Sequence, residues 1–308
     1  LETFLKKFVG FGGEIIVGSD GSTDETYRLI RKYAEEHHVR YTVSFKRIGK
    51  PAMINTMVRD ARGEIYIFAD ARQRFEPDAI NKLVRCFADE DVGVVSGELV
   101  IEDKDTGAGA GLGFYWEYEK ALRKMESHIG SMTGATGAIY AIRKELFRYL
   151  PENIILDDVY IPMNALMMDK RVIFEPEALA YDTVSETTEK EFSRKVRTLA
   201  GNFQIFSLFS DVLNPFKKSG LAFQLISHKL MRLFVPYFLV SALVANIFLF
   251  GKGGLVVLAL FLQLLFYGAA FLGYILESAG VKVAGILVVL FVSYEFFVLN
   301  FAAIVLLL

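Results

Sequence analysis

The sequence predicts an α/β domain with a mostly parallel sheet, followed by membrane-spanning helices. From residue 14 to residue 97, short apolar runs rich in Val, Ile, Phe and Tyr alternate with helical stretches, and such alternation implies crossover connections between parallel strands. Asp20 and Asp70 each stand just past the carboxyl end of such a run, where open α/β sheets bind ligands. Beyond Arg232 the only charged residues are Lys252, Glu277, Lys282 and Glu295, so the ionic surface of an ordinary water-facing domain stops there.

The strands are read at "EIIVG" (14–18), "RYTVSF" (40–45), "EIYIFAD" (64–70) and "VGVVSG" (92–97), with helices over 24–37, 51–62 and Pro77–Ala88 between them. Ser22 followed by Glu25 fits a capping box at the start of the first helix, and Asp24 in its first turn complements the helix dipole. That account leaves Asp20 without a structural task. A carboxylate at this strand end can accept hydrogen bonds from a base or ribose, beside a helix N-terminus that favours phosphate. Asp70 is delivered by a buried strand, and such a group is costly to desolvate unless it pairs or binds a cation. Hard divalent ions that bridge a diphosphate take this kind of oxygen ligand.

The second half is less regular. The Gly-rich stretch 103–113 reads as a mobile loop, and with no Gly-Lys-Ser/Thr after it, it is not a phosphate-binding P-loop. A helix carrying Tyr115, Trp116 and Tyr118 follows, whose spacing favours core packing over stacking on sugar rings. Then come "TGATGAIYAIRKELF" (133–147), "ILDDVYIP" (155–162) and "KRVIFEPEALAY" (170–181). The adjacent Asp157 and Asp158 point in different directions, so one can anchor while the other faces a pocket as a general base. Asp-Asp at a helix start also serves as a plain N-cap. Over 189–213, Phe192, Val196, Leu199, Phe203, Phe206 and Leu213 form an apolar stripe with Arg194, Lys195 and Arg197 elsewhere, the pattern of an interfacial helix on a bilayer. The three cations suit a leaving diphosphate or a membrane surface equally well.

Three apolar stretches end the chain, Leu233–Phe250, Leu255–Leu276 and Val283–Leu308, each near the ~20 residues a helix needs to cross a bilayer. Lys217, Lys218, His228, Lys229 and Arg232 precede the first, which places that end and the polar domain in the cytoplasm, on a multi-pass integral membrane protein. The expected division is 1–188 for the catalytic domain, 189–228 for the interfacial helix and linker, and 229–308 for the membrane helices. Glu295 falls midway through a span, where pairing with another helix is favoured over lining a glycan path. A net charge of -2 without a basic, aromatic-interleaved tract excludes a nucleic-acid partner. Cys86 is the only cysteine, which excludes an internal disulfide and a cysteine zinc site. Both ends read as cut points, the start lying within a helix-like Leu1–Phe8 and the finish within the third apolar run.

With these motifs in order, the chain resembles the membrane-bound family 2 glycosyltransferases, processive polysaccharide synthases and their relatives, which carry a GT-A catalytic domain and C-terminal transmembrane helices. The matching blocks are "VGSDGSTDET", "GKPAMIN", "FADARQRFEPDAI", "TGATGAIYAIRKELF", "LDDVYIP" and "SRKVRTLAGN". The resemblance implies an inverting transfer from a nucleotide-sugar donor, a UDP-sugar being expected, to a glycan or lipid acceptor among membrane lipids, aided by Mg or Mn. It implies that Asp20 contacts the donor nucleoside, that Lys50 and Asn55 help hold the donor, and that Asp70 is the first aspartate of a metal-binding DxD pattern. Asp158 matches the general base of the Glu-Asp motif, Asp157 the acidic position before it, and Arg197 the arginine of Gln-x-x-Arg-Trp, which supports the diphosphate.

The sequence also departs from the family. Arg72 stands where the second DxD aspartate belongs, and Arg194 and Thr198 replace the Gln and Trp of the last motif. The family's usual first strand, with its Pro-x-Tyr-Asn-Glu-like segment, does not precede Glu14 in the sequence. Two other readings stay open: addition of a single sugar to a membrane lipid, and a non-catalytic membrane scaffold that keeps the fold.

Overall fold

Val17, Ile30, Tyr33 and Val39 are apolar and nearly solvent-free, and they fuse the first three elements of the chain. These are β1 (Ile16–Asp20), α1 (Thr26–His37) and β2 (Arg40–Ser44). The two strands pair in parallel, from Ile16 opposite Arg40 to Asp20 opposite Ser44, with α1 as the crossover. The computed structural model describes residues 13–37, 39–102, 107–182, 188–214, 216, 218–279, 289–294 and 296–298. They fall into two compact units, one within Leu1–Val100 and Arg123–Asp182, the other within Ile101–Leu122 and Thr183–Leu308. Residues 101–122, expected in the catalytic domain, thus group with the chain that follows it.

At the start of α1 the capping box does not form. Asp24 Oδ1 accepts the Thr26 backbone N–H at 3.1 Å, Glu25 pairs with Arg28, and the Ser22 hydroxyl accepts from Ser19. The Asp24 carboxyl is held below its ordinary pKa by its hydrogen bonds to Thr26. After α2 (Lys50–Arg59), the chain continues with β3 (Ile65–Ala69), β4 (Arg74–Phe75), α3 (Ala79–Arg85), β5 (Val92–Ile101), α4 (Gly107–Ile129), β6 (Ile139–Arg143), α5 (Asp157–Met167) and β7 (Arg171–Asp182). The Gly-rich stretch expected as a loop is therefore helical from Gly107, while 103–106 lie outside the described residues.

The expectation of a mostly parallel sheet is corrected. A five-stranded sheet runs in the order β3-β6-β5-β7-β4, and the β3–β6, β5–β6 and β4–β7 pairs are antiparallel. β6 explains the misreading, because Ile139, Tyr140, Ala141 and Ile142 are all wholly buried. A run buried on both faces has no polar alternation, and its direction cannot be read from its composition. Phe75, Ala79, Leu83, Val95, Ile139 and Ala180 build the core beneath this sheet.

In the second unit, α6 (Thr188–Leu208) and α7 (Ser219–Gln224) precede a π-helical turn (Leu225–Leu230), α8 (Met231–Phe248) and α9 (Gly254–Ser278). Ser219–Phe248 and Gly254–Leu276 are long and apolar enough to cross a membrane. Phe238, Val240, Phe261, Leu262 and Leu265 stand exposed on them, unlike side chains of a buried core helix. Gln263 is hydrogen-bonded to Asn246, Tyr267 and the Leu239 carbonyl, so these polar groups satisfy one another between the two helices. Buried Glu119 of α4 meets Arg232 at 2.7 Å and His228 at 3.5 Å, tying α4 to the start of the first span. Of the third expected span, 289–294 and 296–298 are helical, and the remainder, including Glu295, lies outside the described residues.

Candidate active site

β1 and β3 are edge strands of their two sheets, and both line a cavity of about 680 Å³ within the first unit. Its walls are largely apolar, with Val17, Met53, Met57 and Ile67 among them, and Asp20, Lys50, Asp70 and Asp157 are among its polar groups, with Glu14 and Glu64 also on its wall. An apolar cleft of this size with a few convergent polar groups is the common form of a small-molecule site.

Lys50 is the centre of that polar group. It is the first residue of α2, and its Nζ lies 3.3 Å from Asp70 Oδ1 and 3.2 Å from Asp157 Oδ2. Asp70 follows β3 and Asp157 opens α5, so three elements converge on one ammonium. Burial pulls the Lys50 pKa down, but Asp157, Asp70 and Asp158 outweigh it and hold it above the ordinary lysine value. Asp157 Oδ2 is buried, and the Lys50 ammonium 3.2 Å away is the charge set against it. The hydroxyl of wholly buried Tyr140 has no hydrogen-bond partner among the described residues. Burial first, then the same three aspartates, keeps it protonated.

Asp158 is positioned through its backbone and by the loop beside it. Pro162 lies within α5 four residues on, where its missing N–H removes the helical bond to the Asp158 carbonyl. That carbonyl accepts the Ala135 N–H instead, at 2.8 Å. The same loop is pinned by Thr136, whose N–H donates to the buried Ser96 hydroxyl at 2.9 Å and whose hydroxyl accepts from Arg123. Gly137 closes the arrangement, since a Cβ added there would stand 3.0 Å from Asp158 Oδ2. Ala135, Gly137 and Pro162 were not singled out from the sequence. The available signal was a proline four residues after an aspartate in a helix start.

The structure brings together Lys50, Asp70, Asp157 and Asp158, with Asp20 on the wall of the same cavity, and the partners of the other candidates are as follows. Asn55, expected at the donor, clasps the Leu150 backbone with both halves of its amide, at 2.8 Å each. Asp20 takes the N–H groups of Ile48 and Gly49 on its two carboxylate oxygens, at 2.6 and 2.9 Å. Arg72 pairs with Asp182 Oδ2 at 3.0 Å, which Gln73 also reaches. Arg197 is exposed on α6 in the second unit.

Among the described residues no three His, Cys, Asp or Glu side chains group as a metal cage. Of the cavity's carboxylates, Asp70 is the partly exposed one that stands beside Lys50 at the strand end. One carboxylate, with oxygens from a diphosphate and water, is a donor set that Mg and Mn accept, so the residues present fit a substrate-borne ion rather than a resident one.

Strand-end carboxylates, a lysine and a cleft of this size on a mixed sheet are the marks of the GT-A glycosyltransferase class. Residues 12–150 match the family model described as Glycosyl transferase family 2. The poly-beta-1,6-N-acetyl-D-glucosamine synthase of Staphylococcus epidermidis is 22% identical over 218 residues, covering 69% of this chain and 52% of that relative. The synthase of the same name from Staphylococcus aureus (strain COL) is 23% identical over 197 residues, covering 62% and 48%. The chain spans about half the length of these curated relatives. A solved mannosyltransferase from Pyrobaculum calidifontis, in complex with GDP-Man and Mn2+, shares the fold with a TM-score of 0.63 at 24% identity, over 94% of this chain and 77% of that one.

Proposed function

We propose that the protein is an inverting glycosyltransferase that moves a sugar from a nucleotide-sugar donor to a glycan acceptor at the cytoplasmic face of a membrane, in polysaccharide synthesis. The observation that carries this reading is the Lys50 ammonium set between Asp70 and Asp157 at the cavity, with Asp158 held beside it by Gly137 and Ala135. In this reading Asp158 takes the proton from an acceptor hydroxyl as that oxygen attacks the anomeric carbon in line. Lys50 receives the diphosphate as it departs, and Asp157 keeps Lys50 in place. Asp70 would hold Mg or Mn, which when bound neutralises charge on the leaving group. Arg197 is assigned to the diphosphate on the strength of its motif position.

The names of the staphylococcal relatives make UDP-N-acetylglucosamine the first donor to try, with GDP-mannose as comparator. The cytoplasmic orientation rests on Lys218, His228, Lys229 and Arg232 before the first span. Thr198 in place of the motif's Trp supports a second reading, single transfer to a membrane lipid. Incubating membranes that hold the full-length protein with a panel of nucleotide sugars, and weighing the products, tests both. A ladder of masses supports polymer synthesis, a single added sugar on lipid supports the second reading, and no donor-dependent product contradicts both.

A further inference from the structure

Tyr140 is the largest wholly buried side chain among the described residues, and its hydroxyl has no hydrogen-bond partner among them. It stands in the middle of β6, opposite Phe68 on β3 and Ser96 on β5. Its neighbours Ile139 and Ala141 belong to the core beneath the sheet, so the alternation of a strand turns Tyr140 to the other face. There its ring stacks on Phe68 at 5.1 Å, and Phe68 itself lines the cavity that holds Lys50, Asp70 and Asp157. Burial, and after it Asp157, Asp158 and Asp70 in that order, raises the pKa of the phenol, so it is an O–H donor within electrostatic reach of all three carboxylates. A buried tyrosine hydroxyl ordinarily has a partner, because leaving it unbonded costs its desolvation. The ligand-free protein thus keeps a donor in reserve beside its acidic group.

Asp157 has the complementary need. Its side chain is 9% exposed, and the Lys50 ammonium at 3.2 Å is the cation set against it. A diphosphate that draws this ammonium toward itself takes charge away from a buried carboxylate, which is strongly unfavourable unless another donor takes its place. We infer that Tyr140 is a positioning residue for Asp157: its hydroxyl bonds the Asp157 carboxylate as Lys50 turns to a nucleoside diphosphate, so that the lysine is shared without stranding the acid. This rests on the donor-binding reading of Lys50 given above. The hydroxyl is then idle in the free protein and engaged in the nucleotide-bound one, a difference that a purely structural tyrosine would not show.

The test uses Tyr140→Phe, which removes the hydroxyl and keeps the ring on Phe68. Thermal unfolding and calorimetric binding of UDP and GDP are measured on the full-length protein, on Tyr140→Phe, on Lys50→Met and on the double variant. Without ligand, Tyr140→Phe should melt at or slightly above the natural temperature, because it deletes an unbonded buried hydroxyl. A lower melting temperature would make the hydroxyl a structural bond of the free form and overturn the inference. The nucleotide that the natural protein binds should bind Tyr140→Phe about 10-fold more weakly, the size of one hydrogen bond to a charged group, and unaltered affinity overturns the inference. Lys50→Met leaves Asp157 without its cation at all times, so adding Tyr140→Phe to it should lower the melting temperature by roughly 5 °C. No change in that step overturns the inference too. This ligand-free arm separates the two readings: if the natural protein binds neither nucleotide while the double variant melts below Lys50→Met, the donor reading of Lys50 fails and the partnership of Tyr140 with Asp157 stands.

Discussion

Replacing Gly137 by alanine should damage catalysis while leaving the fold nearly intact. The added Cβ would lie 3.0 Å from Asp158 Oδ2 and 3.4 Å from its Cβ and Cγ, whereas ordinary contacts begin at 3.4 Å. The backbone at Gly137 is not in the left-handed region, so no strain arises there, and the methyl must be accommodated by moving the carboxylate about 0.4 Å. A displacement of ~1 Å in a reacting group costs ~100-fold, and in proportion 0.4 Å costs about 6-fold in kcat. The overpacking penalty falls on the end of one half-buried side chain, so stability should drop by ~1 kcal/mol or less. Steady-state transfer assays with donor and acceptor varied separately, together with thermal unfolding, measure these quantities. The reasoning is refuted if Gly137→Ala keeps full kcat, or if its kcat falls only in step with unfolding.

Other outcomes follow from the same structure. The raised Lys50 pKa means that its ionic contribution is complete below the ordinary lysine value and is lost as pH rises through the folded value. The melting-temperature difference between the natural protein and Lys50→Gln should therefore be flat from about pH 6 to pH 9 and shrink only above ~10.4. Cys86 is pushed up to about 11 by burial and then by Glu175, so alkylation at neutral pH should run about 100-fold slower than for an ordinary thiol until the protein is unfolded. In α9, a Cβ at Gly273 would stand 2.4 Å from the Leu290 carbonyl oxygen, a backbone atom that cannot swing aside. Gly273→Ala should cost ~1–3 kcal/mol in detergent and leave nucleotide binding unchanged, as unfolding and binding measurements would show.

The sequence carried the site better than the sheet. Asp20 and Asp70 were legible because a polar residue at the end of an apolar run is conspicuous, and Asp157 and Asp158 because adjacent carboxylates are. Strand direction was not legible in β6, whose side chains are buried on both faces. The partners of Asn55 and Arg72 lie 95 and 110 residues away, Leu150 and Asp182, and no local pattern signals contacts of that separation. The Gly-rich start of α4 reads as a loop on propensity, which is only a weak prior against the long helix that continues to Ile129. Asp20 shows the limit most clearly. Its position at a ligand-binding strand end was readable, yet its two hydrogen bonds go to a turn 28 and 29 residues later.

The central claim is that Asp158 acts as the general base of a sugar transfer. Its most direct measurement is product formation from a labelled nucleotide sugar by the full-length Asp158→Asn protein, with nucleoside diphosphate binding followed in the same preparation. Transfer should fall by ~10²–10⁴-fold, the scale of general-base catalysis, while binding is retained. Transfer at the unaltered rate in a variant that still binds nucleotide would contradict the account.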